Sequence, residues 1–127
     1  IQNLHRYALP FALALLVFLG IDAWNAMWFH TAAGGKEFGL SVGTIVLTLN
    51  VVFLSGYTFG CHSLRHLVGG GIDILSRRPV RKMVYECVTC LNGRHMAWAW
   101  TSLLWVAFTD IYVRLCAMGV WTNPRFF

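Results

Sequence analysis

Phe38-Gly-Leu-Ser-Val-Gly-Thr-Ile-Val-Leu-Thr-Leu-Asn-Val-Val-Phe-Leu-Ser-Gly-Tyr-Thr-Phe-Gly-Cys-His62 is a run of 25 residues without one Lys, Arg, Asp or Glu. A helix rising 1.5 Å per residue needs about 20 such positions to cross ~30 Å of hydrocarbon, so this stretch reads as a membrane span. Its small and weakly polar residues Ser41, Thr44, Thr48, Ser55 and Thr58 point to close packing against other helices, and Asn50 to a bond across to a neighbour.

Two further apolar stretches flank it. The first runs from about Ala8 to Phe29, with Pro10 expected in its first turn and Asp22 as its one charge. The third runs from Met96 to about Val120. Trp98, Trp100 and Trp105 stand near its start and Trp121 closes it, as suits side chains that prefer the headgroup boundary. Asp110 and Arg114 lie inside it. The expected architecture is therefore all-α: one transmembrane helical bundle over residues 1–127, with three membrane-spanning helices at about 8–29, 38–62 and 96–120. Of the 127 residues 57% are hydrophobic and 12% charged, too apolar for an ordinary soluble surface. The chain opens on Ile1 rather than Met and shows no signal peptide, so helices upstream are expected.

A formal charge of +5 raises the question of nucleic acid, but the cations are not spread as a binding patch would require. Six of the ten Lys and Arg residues (Arg65, Arg77, Arg78, Arg81, Lys82 and Arg94) fall between positions 65 and 94. With three crossings, that loop and the N-terminal residues share a side. Lys36, Arg114 and Arg125 belong to the other, so the basic loop 67–94 is placed in the cytoplasm. Gly69-Gly70-Gly71 ends the element before the loop, a short helix is expected near Asp73 to Ser76, and Pro79 is expected to interrupt the rest of the basic segment. The chain holds no P-loop, dinucleotide fingerprint, Ser-His-Asp set or metalloprotease motif, which confines its chemistry to the membrane.

Two groups of Cys and His stand at the inner ends of the second and third spans: Cys61, His62 and His66, and Cys87, Cys90 and His95. His62 and His66 are four apart and share a helix face, and Cys87-x-x-Cys90 is a spacing at which two thiolates bind one metal. The set His62, His66, Cys87 and Cys90, with Cys61 and His95 as substitutes, suits tetrahedral zinc or a two-iron two-sulfur cluster. Spacing does not separate these. Packing cysteines and interfacial histidines are the plainer alternative, and a quinone-linked thiol oxidoreductase using Cys87 and Cys90 is a further one. A second constellation lies deeper. Asp22 and Asp110 both sit about 20 Å from the basic side at 1.5 Å per residue. With Arg114, Trp24, Trp28 and His30 they make either an outer polar pocket for a quinone head group or, for Asp110 and Arg114, an ion pair one turn apart.

The run Ser63-Leu64-Arg65-His66-Leu67, after a span and before a loop with Asp73, resembles the signature of membrane-anchor subunits of succinate dehydrogenase and fumarate reductase. Arg65, His66 and Leu67 match that pattern directly. Ser63 replaces the family's Gly, and the haem-ligating His falls on Phe59, so haem b is disfavoured. With the Cys/His groups, the chain is similar to the C-terminal portion of the actinobacterial haem-free class, whose anchor has about five helices. That resemblance implies a bacterial cytoplasmic membrane, a membrane-embedded Rieske-type [2Fe-2S] cluster, and a quinone, menaquinone or ubiquinone, bound near Ser63 and Arg65. It also implies flavoprotein and iron–sulfur partner subunits, with succinate oxidised elsewhere than in the anchor. A purely structural anchor, with zinc or without metal, is the alternative.

Overall fold

The computed structural model describes residues 4–30, 34–71 and 77–126. In chain order they form α1 (Leu4–Asn25), β1 (Trp28–His30), β2 (Lys36–Phe38), α2 (Val42–Phe59), α3 (His62–Gly69), α4 (Pro79–Asn92) and α5 (His95–Ala117). The helix expected near Asp73 lies outside the described residues.

α2 is the central helix: α1 and α5 both pack against it and scarcely against each other. Ser41 starts it, its side chain accepting from the Thr44 backbone N–H as an N-cap should. Polar and small residues make up much of the interior, beside Val46, Val88 and Tyr112. Ser41, Thr44, Asn50, Thr58, Ser102 and Thr109 are buried, whereas Phe11 is 75% exposed on α1 and Leu104 66% exposed on α5. A water-soluble protein has the opposite pattern; large apolar side chains turned outward suit a lipid surrounding, and small residues inside let backbones approach. Gly56 shows how close. A Cβ there would lie 2.5 Å from the Trp98 ring, so the absence of a side chain is what seats the indole of α5 on α2. Higher up, the Trp105 indole donates to the Val46 carbonyl at 3.1 Å and meets Phe53 edge-on.

Several expectations need correcting. Two helices, over Arg6–Asn25 and Val42–Phe59, are apolar and long enough to cross a membrane; α5 is long enough, but its indoles, hydroxyls, Asp110 and Arg114 dilute its hydropathy, so a third span is not established. α1 starts at Leu4, which puts Pro10 inside the helix rather than in its first turn. The break after α1 is a two-stranded antiparallel ribbon pairing Trp28 with Phe38, Phe29 with Glu37 and His30 with Lys36. Pro79 does not interrupt the basic segment but begins α4, where its fixed φ and missing N–H suit the first helical position.

The C-terminal tail folds back onto the start of α2. Asn123 accepts from the Gly43 N–H at 2.8 Å and from the Tyr112 hydroxyl at 3.2 Å, and donates to Ser41 Oγ at 3.2 Å. Backbone bonds from Val42 to Pro124 and from Phe126 to Leu40 complete the clasp.

Candidate functional site

The end of the bundle where α1 begins and α2 ends carries the site. Gly60 closes α2, and the chain restarts at once as α3, with Cys61 at the N-cap position but making no side-chain capping bond. Asn92 at the end of α4 donates to the Gly60 carbonyl at 2.8 Å and so ties this corner to the approach to α5. α3 presents Ser63, His66 and Leu67 to α1, which answers with Arg6, Leu9, Pro10 and Leu13, and between them lies a cleft of about 480 Å³. Its wall is apolar except at three points. Ser63 is only 5% exposed and its hydroxyl has no hydrogen-bond partner. An unpaired buried hydroxyl costs roughly 1–3 kcal/mol. Pro10 has no N–H, so the Arg6 carbonyl four residues earlier is left without its helical donor. His66 lies on the rim, its ring 6.0 Å from that of His62 and nearly perpendicular to it.

Arg65 does not share this cleft. Two positions from Ser63 on a helix turns a side chain about 200°, so Arg65 points to α4, where its guanidinium lies 5.2 Å over the Tyr85 ring. Gly69 admits the same ring; a Cβ there would come within 2.7 Å of it. Arg81 fixes the pair by donating to the carbonyls of Leu67, Val68 and Gly70 at the end of α3.

The proposed four-ligand metal set is not assembled. Among the described residues no three or more His, Cys, Asp or Glu side chains are placed to hold a metal ion. Helix geometry gives the reason. α4 packs through Arg81, Tyr85, Val88 and Asn92, whereas Cys87 and Cys90 are exposed on another face of the helix. No disulfide joins any of the four cysteines. Among the described residues, then, the four side chains His62, His66, Cys87 and Cys90 are not gathered at one point. The substitutes lie deeper: Cys61 is buried, and His95, half-buried, stacks on Tyr57 at 4.8 Å.

The expected outer pocket also divides. Asp110 accepts from Arg114 Nε at 2.9 Å, one turn apart, the ion-pair alternative. Asp22 is exposed on α1, with α2 between its helix and that of Asp110. Trp28 stacks edge-on between Trp24 and Phe38 and lines a cleft of about 310 Å³ together with Ser41, Thr44, Tyr112 and Asn123. The sequence marks Ser41 and Thr44 as packing residues only and does not single out Tyr112 and Asn123, because only a fold that returns the tail to α2 brings positions 41 and 123 together. The side chain of His30 lies outside the described residues. Ser63 was anticipated. Arg6 and Pro10 were not, since a charge and an imino acid near the start of a span read as topology and helix-start signals.

Comparison with known proteins agrees with this architecture. A chain of the Mycobacterium smegmatis Sdh1 complex in the apo form has a TM-score of 0.87 and 38% sequence identity, over 99% of this chain and 46% of that one. The present chain thus spans about half the length of that neighbour. No curated protein matches it. The family model for actinobacterial succinate dehydrogenase subunit SdhC matches residues 1–119. The chain accordingly belongs to the actinobacterial SdhC family of succinate dehydrogenase membrane subunits.

Proposed function

We propose that this chain is the quinone-reactive part of the membrane anchor of a succinate:quinone oxidoreductase in a bacterial cytoplasmic membrane, and that the quinone binds in the cleft between α1 and α3. The observation that carries this is the buried, unpaired Ser63 hydroxyl on the wall of an apolar cleft of about 480 Å³. An apolar slot with few polar groups at one end suits a molecule with a dicarbonyl head and an isoprenoid tail. Ser63 donates to one carbonyl oxygen. His66, exposed and close to His62, takes protons from water and delivers one as that oxygen is reduced. Electrons arrive from succinate by way of flavoprotein and iron–sulfur partner subunits. Neither menaquinone nor ubiquinone is favoured by the lining. No step is routed through a metal cluster in this chain.

α5 serves as a third crossing in this reading. Its 23 residues extend about 34 Å at 1.5 Å per residue; Leu103, Leu104 and Ile111 face outward while Ser102 and Thr109 face α2. The end bearing α3 and α4 faces the cytoplasm, as its cations require.

The test is Ser63→Ala in the intact complex. Loss of one hydrogen bond predicts a rise in KM for quinone of roughly threefold to tenfold, with succinate-driven reduction of a water-soluble dye unchanged. An unaltered quinone KM refutes the site.

A further inference from the structure

The end of α3 beyond Leu67 and the helix α4 are left without a role by the quinone cleft, and their chemistry is distinctive. The end of α3 and the start of α4 enclose an open cleft of about 690 Å³. Leu67, Val80 and Val84 supply apolar wall; Arg77, Arg78 and Arg81 supply cations. Arg81 is committed to the carbonyls that end α3, so it holds the wall in place. Arg77 and Arg78 are exposed, precede Pro79, and form no ion pair among the described residues. The backbone N–H groups of the first turn of α4 open beside them, adding a partial positive charge to two whole ones.

The apolar wall continues along α4. Val80, Met83, Val84 and Cys87 recur at helical spacing and are all exposed, Val80 and Met83 by more than 70%. Lys82 and Glu86 pair on the opposite face at 3.7 Å. α4 therefore has three faces: one packed on α2 and α3, one charged, and one apolar with nothing on it among the described residues. An apolar helix face bordered by arginines, at the end of membrane helices, has the character of a helix lying in the headgroup layer.

We propose that this cleft binds an anionic phospholipid, its phosphate held by Arg77 and Arg78 at the start of α4 and its acyl chains lying along Val80, Val84 and Leu67. Charge decides the class. A zwitterionic lipid brings an ammonium group to a place that already holds three guanidinium groups, whereas an anionic one brings only negative charge. The apolar wall decides against free phosphate, which has nothing to lay against Val80 and Val84. The proposal needs a bilayer at this end of the bundle; Leu67 borders both clefts, but Arg77 and Arg78 line only this one, so the phosphate site does not depend on the quinone site.

The test uses the full-length subunit in its complex, placed in phosphatidylcholine nanodiscs doped with either spin-labelled phosphatidylglycerol or spin-labelled phosphatidylcholine. The immobilised spectral component should be larger for the anionic lipid. Arg77→Gln with Arg78→Gln should lower that preference by about fivefold per arginine. Both positions are exposed, so folding is not at stake, and Lys82→Gln on the opposite face should leave the preference in place. Equal immobilisation of the two lipids, or an unchanged preference in the double variant, overturns the proposal. So does loss of a soluble subunit from the double variant with lipid immobilisation intact, which would make the arginines a protein interface. Quinone KM in the double variant stays at the wild-type value, which separates failure here from failure of the quinone site.

Discussion

The packing of α5 on α2 hinges on Gly56, and a substitution there has an effect whose sign depends on its neighbour. In Gly56→Ala the new methyl would sit 2.5, 2.6 and 2.9 Å from three carbons of the Trp98 ring, where 3.5–4.0 Å is comfortable, so the indole must retreat by about 1 Å. Such overpacking costs roughly 1–3 kcal/mol. Against it stands the higher helix propensity of Ala, worth about 1 kcal/mol. Alone, the substitution should be neutral to destabilising by ~2 kcal/mol. In a Trp98→Leu background the clash disappears and only the propensity gain remains, so the same change should become stabilising. The difference between backgrounds, roughly 1–3 kcal/mol, is the coupling energy of a double-mutant cycle. Reversible unfolding of the full-length subunit in mixed detergent micelles would measure it. An identical effect of Gly56→Ala in both backgrounds would refute the seating of Trp98 on Gly56.

The site and the clasp carry further consequences. Asp110→Asn should leave succinate-to-quinone turnover unchanged, because Asp110 is paired with Arg114 and lies apart from the α1–α3 cleft; slowed turnover would restore a role to the outer side. Asn123→Ala removes three hydrogen bonds and, at about 1 kcal/mol each, should loosen the tail by ~3 kcal/mol. Amide exchange at Gly43 should then quicken, and unchanged protection would show that the clasp is held by the backbone bonds alone. Ser63→Ala and the paired substitution of Arg77 and Arg78 test the two ligand sites separately.

The membrane character of this protein was legible in its sequence because it rests on composition. A 25-residue run without charge, of which Val42–Phe59 forms α2, is long and apolar enough to cross a bilayer by its composition alone, because a helix satisfies its backbone groups internally. The same holds for the shared face of His62 and His66, four residues apart on one helix, and for Asp110 with Arg114, because these are properties of a single helix. The family resemblance, too, lay in local order at Ser63 to Leu67.

What needed the tertiary structure was each relation between helices. Which way α4 turns about its axis sets whether Cys87 and Cys90 meet the imidazoles, and no spacing within Cys-x-x-Cys reveals it. That rotation is determined by Tyr85 stacking under Arg65 and by Arg81 binding the end of α3, contacts that bridge 11 to 20 positions of chain. Ser63 acquired its meaning only when α1 closed a cleft over it, and Asn123 only when the tail reached Ser41, 82 residues away. Periodicity fixes the direction of a side chain relative to its own helix axis; its surroundings depend on how the helices settle against one another.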